Sequence, residues 1–187
     1  MKHLFATALI AAAATPLAWA ADPVVNPAAS EIGFTAKQMG VPMEGRFKQW
    51  SAQLAFDPKK PETGKVAFTI QTGSASFGAK ETDAELPKAE WFSVAKFPTA
   101  SFQSSAIKGL GAGKFEVTGK LTFKGSSKDI VVPVALSQSG ANTTASGSFT
   151  LKRLDFKIGE GDWTDTSMVA NEVQVKFKLA ITGMGPL

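Results

Sequence analysis

The 187-residue sequence contains no cysteine, no tyrosine and a single histidine, His3. Without cysteine there is no disulfide framework, no thiolate chemistry and no lipid acceptor of the kind a bacterial lipoprotein carries. Arginine is nearly as scarce, since only Arg46 and Arg153 accompany the lysines. The basic residues are spread along the chain and are not clustered with interleaved aromatics, which argues against a nucleic-acid surface. Helical periodicity is almost absent, and no period of roughly 20 to 50 residues repeats.

Residues 1–20 have the layout of a secretory signal peptide. Lys2 and His3 form a basic start, Leu4 to Ala14 an apolar or small-residue run, and Ala18-Trp19-Ala20 a cleavage context. The run is too short to span a bilayer, which takes about 20 residues. The expectation is a single mature domain over 21–187, delivered to the periplasm. Removing Lys2 from the 20 basic residues leaves 19 against 16 acids, a net charge of +3. His3 departs as well, so the mature chain has no histidine for proton transfer or metal binding. Carboxylates are what remains for catalysis. Glu160, Asp162 and Asp165 sit together in GEGDWTD, but their spacing is not that of a calcium loop, and a solvated acidic loop is the simpler account. No catalytic residue, metal ligand or cofactor is assigned, and the expectation is a protein that is not an enzyme.

What is present in abundance is period-2 alternation. In Lys114 to Lys124, Phe115, Val117, Gly119, Leu121 and Phe123 oppose Lys114, Glu116, Thr118, Lys120, Thr122 and Lys124. Glu172 to Ile181 repeats the pattern, and Val66, Phe68 and Ile70 make a third case. Such alternation specifies strands with one apolar and one watery face. Further strands are expected at Ser30–Met39, Glu44–Phe56, Thr99–Lys108, Lys128–Leu136 and Thr143–Lys152, for a total of eight. Thr82 and Glu85 read as the capping box of a short helix that Pro87 ends. Eight antiparallel strands form a sandwich or a closed barrel, and a barrel of that size can hold one ligand. The lysine-rich polar face, with no aromatic girdles, suits water better than the lumen of an outer-membrane barrel.

Two connections exceed hairpin length. Residues 73–97 carry Phe77, Trp91 and Phe92, and residues 153–170 carry Phe156, Trp163 and Met168. Long loops of this kind are often functional. These two either cover an apolar opening or cap a filled core.

Five segments together carry a resemblance: SEIGF (30–34), MGVPMEGRF (39–47), AEWFSVAKFPTASFQSS (89–105), GKLTFKGSSKDIVVPV (119–134) and KRLDFKIGEGDW (152–163). In order and spacing, from Val24 to Thr182, the chain resembles the YceI-like family of bacterial secreted proteins. The resemblance implies an all-β, eight-stranded antiparallel lipocalin-like barrel whose apolar tunnel binds polyisoprenoids, with short helical turns in the long loops. Many family members carry a histidine where this chain has Gln38, so a titrating role at that position does not carry over.

On this reading the tunnel contacts are Phe34, Gln38, Met39, Met43 and Phe47 from the first strands. Phe68, Phe77, Trp91, Phe92, Phe97 and Phe102 follow, and then Phe149, Arg153, Phe156, Trp163 and Met168. The inward small residues Ala100, Gly119 and Gly147 leave room for a chain. Arg153 either forms a local salt bridge beside Asp155 or anchors a head group at the mouth. The implied ligand is a long apolar lipid, an isoprenoid quinone or polyprenyl compound, exchanged with a membrane and carried, stored or sequestered. A strand of about ten residues tilted near 40° gives a tunnel of about 25 Å, which suits an extended chain. The alternative is an interaction module with a filled barrel whose loops bind a membrane or redox protein. Oligomeric state is left open, a homodimer included.

Overall fold

The structure is a computed structural model that describes residues 22–187. The signal-peptide reading of residues 1–20 lies outside the described residues. Ten strands form one antiparallel sheet: β1 (Val24–Gln38), β2 (Val41–Phe47), β3 (Trp50–Ala55), β4 (Lys65–Gln71), β5 (Ala75–Ser76), β6 (Thr99–Gly111), β7 (Lys114–Phe123), β8 (Ser126–Ser139), β9 (Asn142–Lys152) and β10 (Glu172–Thr182). Their order is β3-β4-β6-β7-β8-β9-β10-β1-β2-β5. The sheet curls into a barrel, and the chain joins its two ends. β2 pairs with β1, and after only Lys48 and Gln49 the backbone bends into β3, which pairs with β4.

That bend accounts for the strand count. The single strand expected over Glu44–Phe56 is two half-strands serving two neighbours, and β5 is a two-residue stub on Phe47 and Arg46. With β2 and β3 taken as halves of one bent strand and β5 set aside, eight staves remain. β1 is also longer than expected, and it bulges between Asn26 and Glu31, where Pro27 has no N–H to give. The Ser30 hydroxyl repairs the ladder there, accepting from Ala180 N–H at 2.8 Å and donating to Asn26 O at 2.6 Å.

Three inward glycines are filled by rings. A Cβ on Gly45 would collide with the Phe34 ring, one on Gly119 with Phe102, and one on Gly147 with Phe177. Phe34 faces Gly45 and Phe177 faces Gly147 directly across adjacent strands. The room expected for a ligand at Gly119 and Gly147 is therefore occupied by side chains from the wall itself. These glycines let large rings lie flat along the barrel without overpacking it.

A short helix, α1 (Lys80–Glu85), stands in the first long loop without a side-chain cap. The capping box expected from Thr82 and Glu85 is absent. Asp83 instead accepts from Ser76 Oγ and Phe77 N–H, both at 2.6 Å, and ties the helix to β5. The Ser76 hydroxyl, followed by the Phe77 amide, holds the Asp83 carboxyl below the usual carboxylate range.

Candidate functional site

Two cavities lie in line inside the barrel. The inner one, about 150 Å³, is lined by apolar side chains throughout, including Phe68, Phe102, Phe115, Phe149, Phe177 and, at its far end, Phe56 and Met184. The outer one, about 410 Å³, is lined by Phe34, Met43, Phe47, Phe77, Trp91, Phe92, Trp163 and Val169 among others. Its polar groups are Lys37, Gln38, Glu81, Thr82, Glu85 and Arg153. Val175 lines both. An apolar space the size of the inner cavity stays dry and admits apolar guests.

A row of rings lines and backs the outer cavity. Phe77 meets Phe34 at 5.2 Å between centroids, Phe34 meets Phe47 at 5.1 Å, and Phe47 meets Phe92 at 6.4 Å. Phe92 then meets Phe123 at 5.0 Å, and Phe123 meets Phe156 at 6.5 Å. The rings come from β1, β2, β7 and both long loops, so the loops complete the wall rather than merely rest on it.

The two long loops roof the outer cavity and are fastened to one another. Trp91 and Trp163 pack with centroids 5.3 Å apart. The Glu90 carbonyl accepts from Gly159 N–H at 2.8 Å, Glu160 N–H at 3.0 Å and Lys124 Nζ at 3.2 Å. Lys124 also donates to Lys157 O at 2.6 Å and to Glu160 Oε2 at 2.9 Å, with only 4% of its side chain exposed. One buried ammonium on the β7–β8 turn thus binds both loops. Its hydrogen bond holds the Glu160 carboxyl below the ordinary range. The far side of the roof is tied to β1, where Met39 N–H donates to Met168 O at 2.8 Å and Ala170 N–H to Lys37 O at 2.9 Å.

Arg153 corrects both expectations made for it. It is 2% exposed and makes no ion pair among the described residues. Its Nε donates to Ala170 O, Nη1 to Ile158 O and Gly159 O, and Nη2 to Trp163 O and Val169 O, at 2.6–3.1 Å. Those five bonds use all five guanidinium donors, so none is free for a head group. Burial lowers its pKa from the ordinary arginine value. Arg153 is the internal staple of the second loop, a role that only a planar fork fits. Gly159 makes room for it, with φ of +78° and a Cβ position that the guanidinium occupies.

Of the other expected contacts, Phe34, Gln38, Met43, Phe47, Phe77, Trp91, Phe92 and Trp163 come together around the outer cavity. Phe68, Phe102 and Phe149 line the inner one. Met39, Phe97, Phe156 and Met168 line neither. Met39 is 76% exposed at the tip of the β1–β2 hairpin, with φ of 49°, and Met168 is 43% exposed beside it. Phe97 packs against Gly125, with the Lys96 ammonium 5.3 Å from its ring. Phe156 is sealed in the core behind Phe123. Sequence reasoning placed Lys124 on the watery face of its strand, whereas its side chain is buried beneath the loops, and it passed over Gly159. The Lys-Gly pair at the β7–β8 turn, both with positive φ, carried no sign that the lysine folds inward. It also passed over Leu151, Ile158, Val169 and Val173, which line the outer cavity and read as ordinary strand or loop residues. The acidic loop is structural in part: Asp165 Oδ1 accepts from Ser167 N–H at 2.8 Å and Ser167 Oγ at 2.7 Å, which lowers its pKa.

The same fold is found in known proteins. A UPF0312 protein of Pseudomonas savastanoi is 32% identical over 80% of this chain and 83% of its own. The crystal structure of Burkholderia cenocepacia BcnA superposes with a TM-score of 0.81 at 44% identity, covering 83% of this chain and 98% of that one. A polyisoprenoid binding domain from Saccharophagus degradans shares the fold, with a TM-score of 0.69 at 16% identity over 86% of this chain and 98% of its own. The YceI-like domain matches residues 24–181, from the first residue of β1 almost to the end of β10. The chain belongs to the YceI-like family.

Proposed function

We propose that this protein binds a long-chain isoprenoid lipid, a quinone or polyprenyl compound, within its barrel and carries, stores or sequesters it in the periplasm without chemical conversion. The observation that carries this reading is the pair of in-line cavities, wholly apolar inside and polar only at the outer rim. An extended chain lies in such a space with its polar head toward Lys37, Gln38 and Thr82, while each buried methylene contributes about 0.8 kcal/mol before ordering costs. The unfilled inner cavity weighs against a solid barrel that serves only as a platform for loops. Exposed Met39, Val41 and Met168 stand beside the outer opening and support loading from a membrane surface. The Saccharophagus domain, described as polyisoprenoid binding, supports the same class of ligand.

The test is to extract purified protein with organic solvent and identify the lipid by mass spectrometry, and to offer delipidated protein isoprenoid quinones and polyprenols. A stoichiometric prenyl lipid is expected. A barrel that is empty on isolation and takes up neither class overturns the reading.

A further inference from the structure

The barrel is open at one end in its chemistry and blind at the other. The polar groups of the two cavities lie at the outer one, beneath the long loops, and none lines the inner one. An amphipathic chain that enters therefore leaves its head at the rim and sends its apolar terminus inward. Two side chains at the inner end differ in standing. Phe56 packs edge-on against Phe115 at 5.3 Å between centroids and presses on Gly64, so it is part of the folded wall. Met184 comes from the tail that follows β10, and it lines the inner cavity. It is 8% exposed and packs with Ile32, Ala145, Leu179 and Ile181.

The tail has no strand partner. The Gln138 side-chain amide holds it, donating to Met184 O at 3.4 Å and Gly185 O at 3.2 Å and accepting from Leu187 N–H at 3.4 Å. The same amide reaches Thr143 Oγ1 at 3.3 Å, which roots it in β9. The floor is thus a flexible thioether on a tail held by long hydrogen bonds, outside the ladder that maintains the barrel.

We infer that Met184 is the residue that sets the upper limit on the length of the lipid chain, a ruler positioned by Gln138 at the blind end of the cavity. The inference rests on the lipid-binding reading. A smaller side chain at this position deepens the inner cavity and a larger one shortens it, and the strands are untouched in either case. Every methylene admitted changes affinity about fourfold, so the effect on chain length is steep.

Delipidated wild type, Met184→Ala and Met184→Trp are each given an equimolar mixture of polyprenols of graded length. The retained distribution is read by mass spectrometry, and thermal midpoints confirm that each variant is folded. Met184→Ala is expected to raise the ratio of the next longer homologue to the wild-type optimum at least fourfold, and Met184→Trp to shift the optimum to shorter chains. Gln138→Ala, which frees the tail and leaves Met184 in place, is expected to broaden the distribution toward longer chains. If the folded variants retain the same distribution as wild type, the ruler is overturned while lipid binding stands. If wild type itself retains no polyprenol, the binding reading falls and the ruler with it.

Discussion

Trp91 and Trp163 meet over the outer cavity with ring centroids 5.3 Å apart and planes inclined at 47°, one ring supplied by each long loop. The pair closes the roof by contact between side chains, and the strands do not depend on it. Trp163→Ala is therefore expected to weaken lipid retention about tenfold while lowering the thermal midpoint by only a few degrees, equivalent to about 1–2 kcal/mol. Trp50 is the comparison. It is half-buried in β3 against Phe68 at 6.3 Å, and its truncation should cost about 3 kcal/mol, the lower end of the range for large aromatics. Bound lipid and midpoint measured on both mutants check the contrast. Equal loss of stability with an undiminished lipid load in the Trp163 mutant would mean that the roof is packing and nothing more.

The Arg153 staple makes a sharper demand on chemistry. Lysine keeps the charge but can reach at most three of the five carbonyls. Arg153→Lys is expected to destabilise the fold by about 3–5 kcal/mol, because buried acceptors and a buried charge lose partners together. Gly159→Ala attacks the same site from the other side and should cost about 1–3 kcal/mol through strained backbone and a displaced guanidinium. Denaturant titrations report both. Near-additive losses in the double mutant would argue that the two do not share one site.

Acid should loosen the roof in a defined direction. Hydrogen bonding from Lys124 lowers the Glu160 pKa, so the clamp contributes stability above the unfolded carboxylate pKa and loses it as pH falls through the folded value. Asp83 and Asp165 are lowered as well, by Ser76 and Ser167, and act with the same sign. The midpoint is expected to hold from neutral pH to about pH 5 and then to fall below about pH 4. Glu160→Gln should start lower at pH 7 and show a shallower acid limb. A mutant whose pH profile runs parallel to wild type would remove the clamp from the account.

Much of the barrel was legible because its strands alternate. Lys114–Lys124 and Glu172–Ile181 state their inner and outer faces residue by residue, and β7 and β10 lie within a residue of those bounds. The polar pair Lys48-Gln49 shifts the apolar phase from Met43, Gly45 and Phe47 to Trp50, Ala52, Leu54 and Phe56, but only the pairing shows that β2 and β3 serve different neighbours. The cavities were harder still. Gly119 and Gly147 looked like space in one dimension and are filled in three by Phe102 and Phe177. Arg153 and Lys124 are alike in this respect. A charged residue next to a turn reads as exposed until the loop that buries it is seen to fold back and offer its carbonyls. Trp91 and Trp163 were found because their segments lack the alternation that would have made them strand core.

Phe47, which packs against the core clusters around both cavities, gives the last prediction. Phe47 stands at the end of β2, where the chain bends, and its ring touches Phe34 at 5.1 Å and Phe92 at 6.4 Å. It is only half-buried because the outer cavity lies against it. A chain passing inward is expected to displace this ring, which is held by two aromatic contacts worth about 0.5–1.5 kcal/mol each. Phe47→Ala removes both from the barrier and should accelerate lipid uptake and release about tenfold or more. The stability cost should stay below about 3 kcal/mol, since the side chain is not fully enclosed. Phe97→Ala serves as the control. It removes a ring that packs on Gly125 and lines neither cavity, and is expected to lower stability without changing the exchange rate. Stopped-flow transfer of a fluorescent polyprenol analogue from vesicles measures the rate, and denaturant midpoints measure the cost. If the Phe47 mutant exchanges at the wild-type rate, its ring is not the barrier to passage between the cavities.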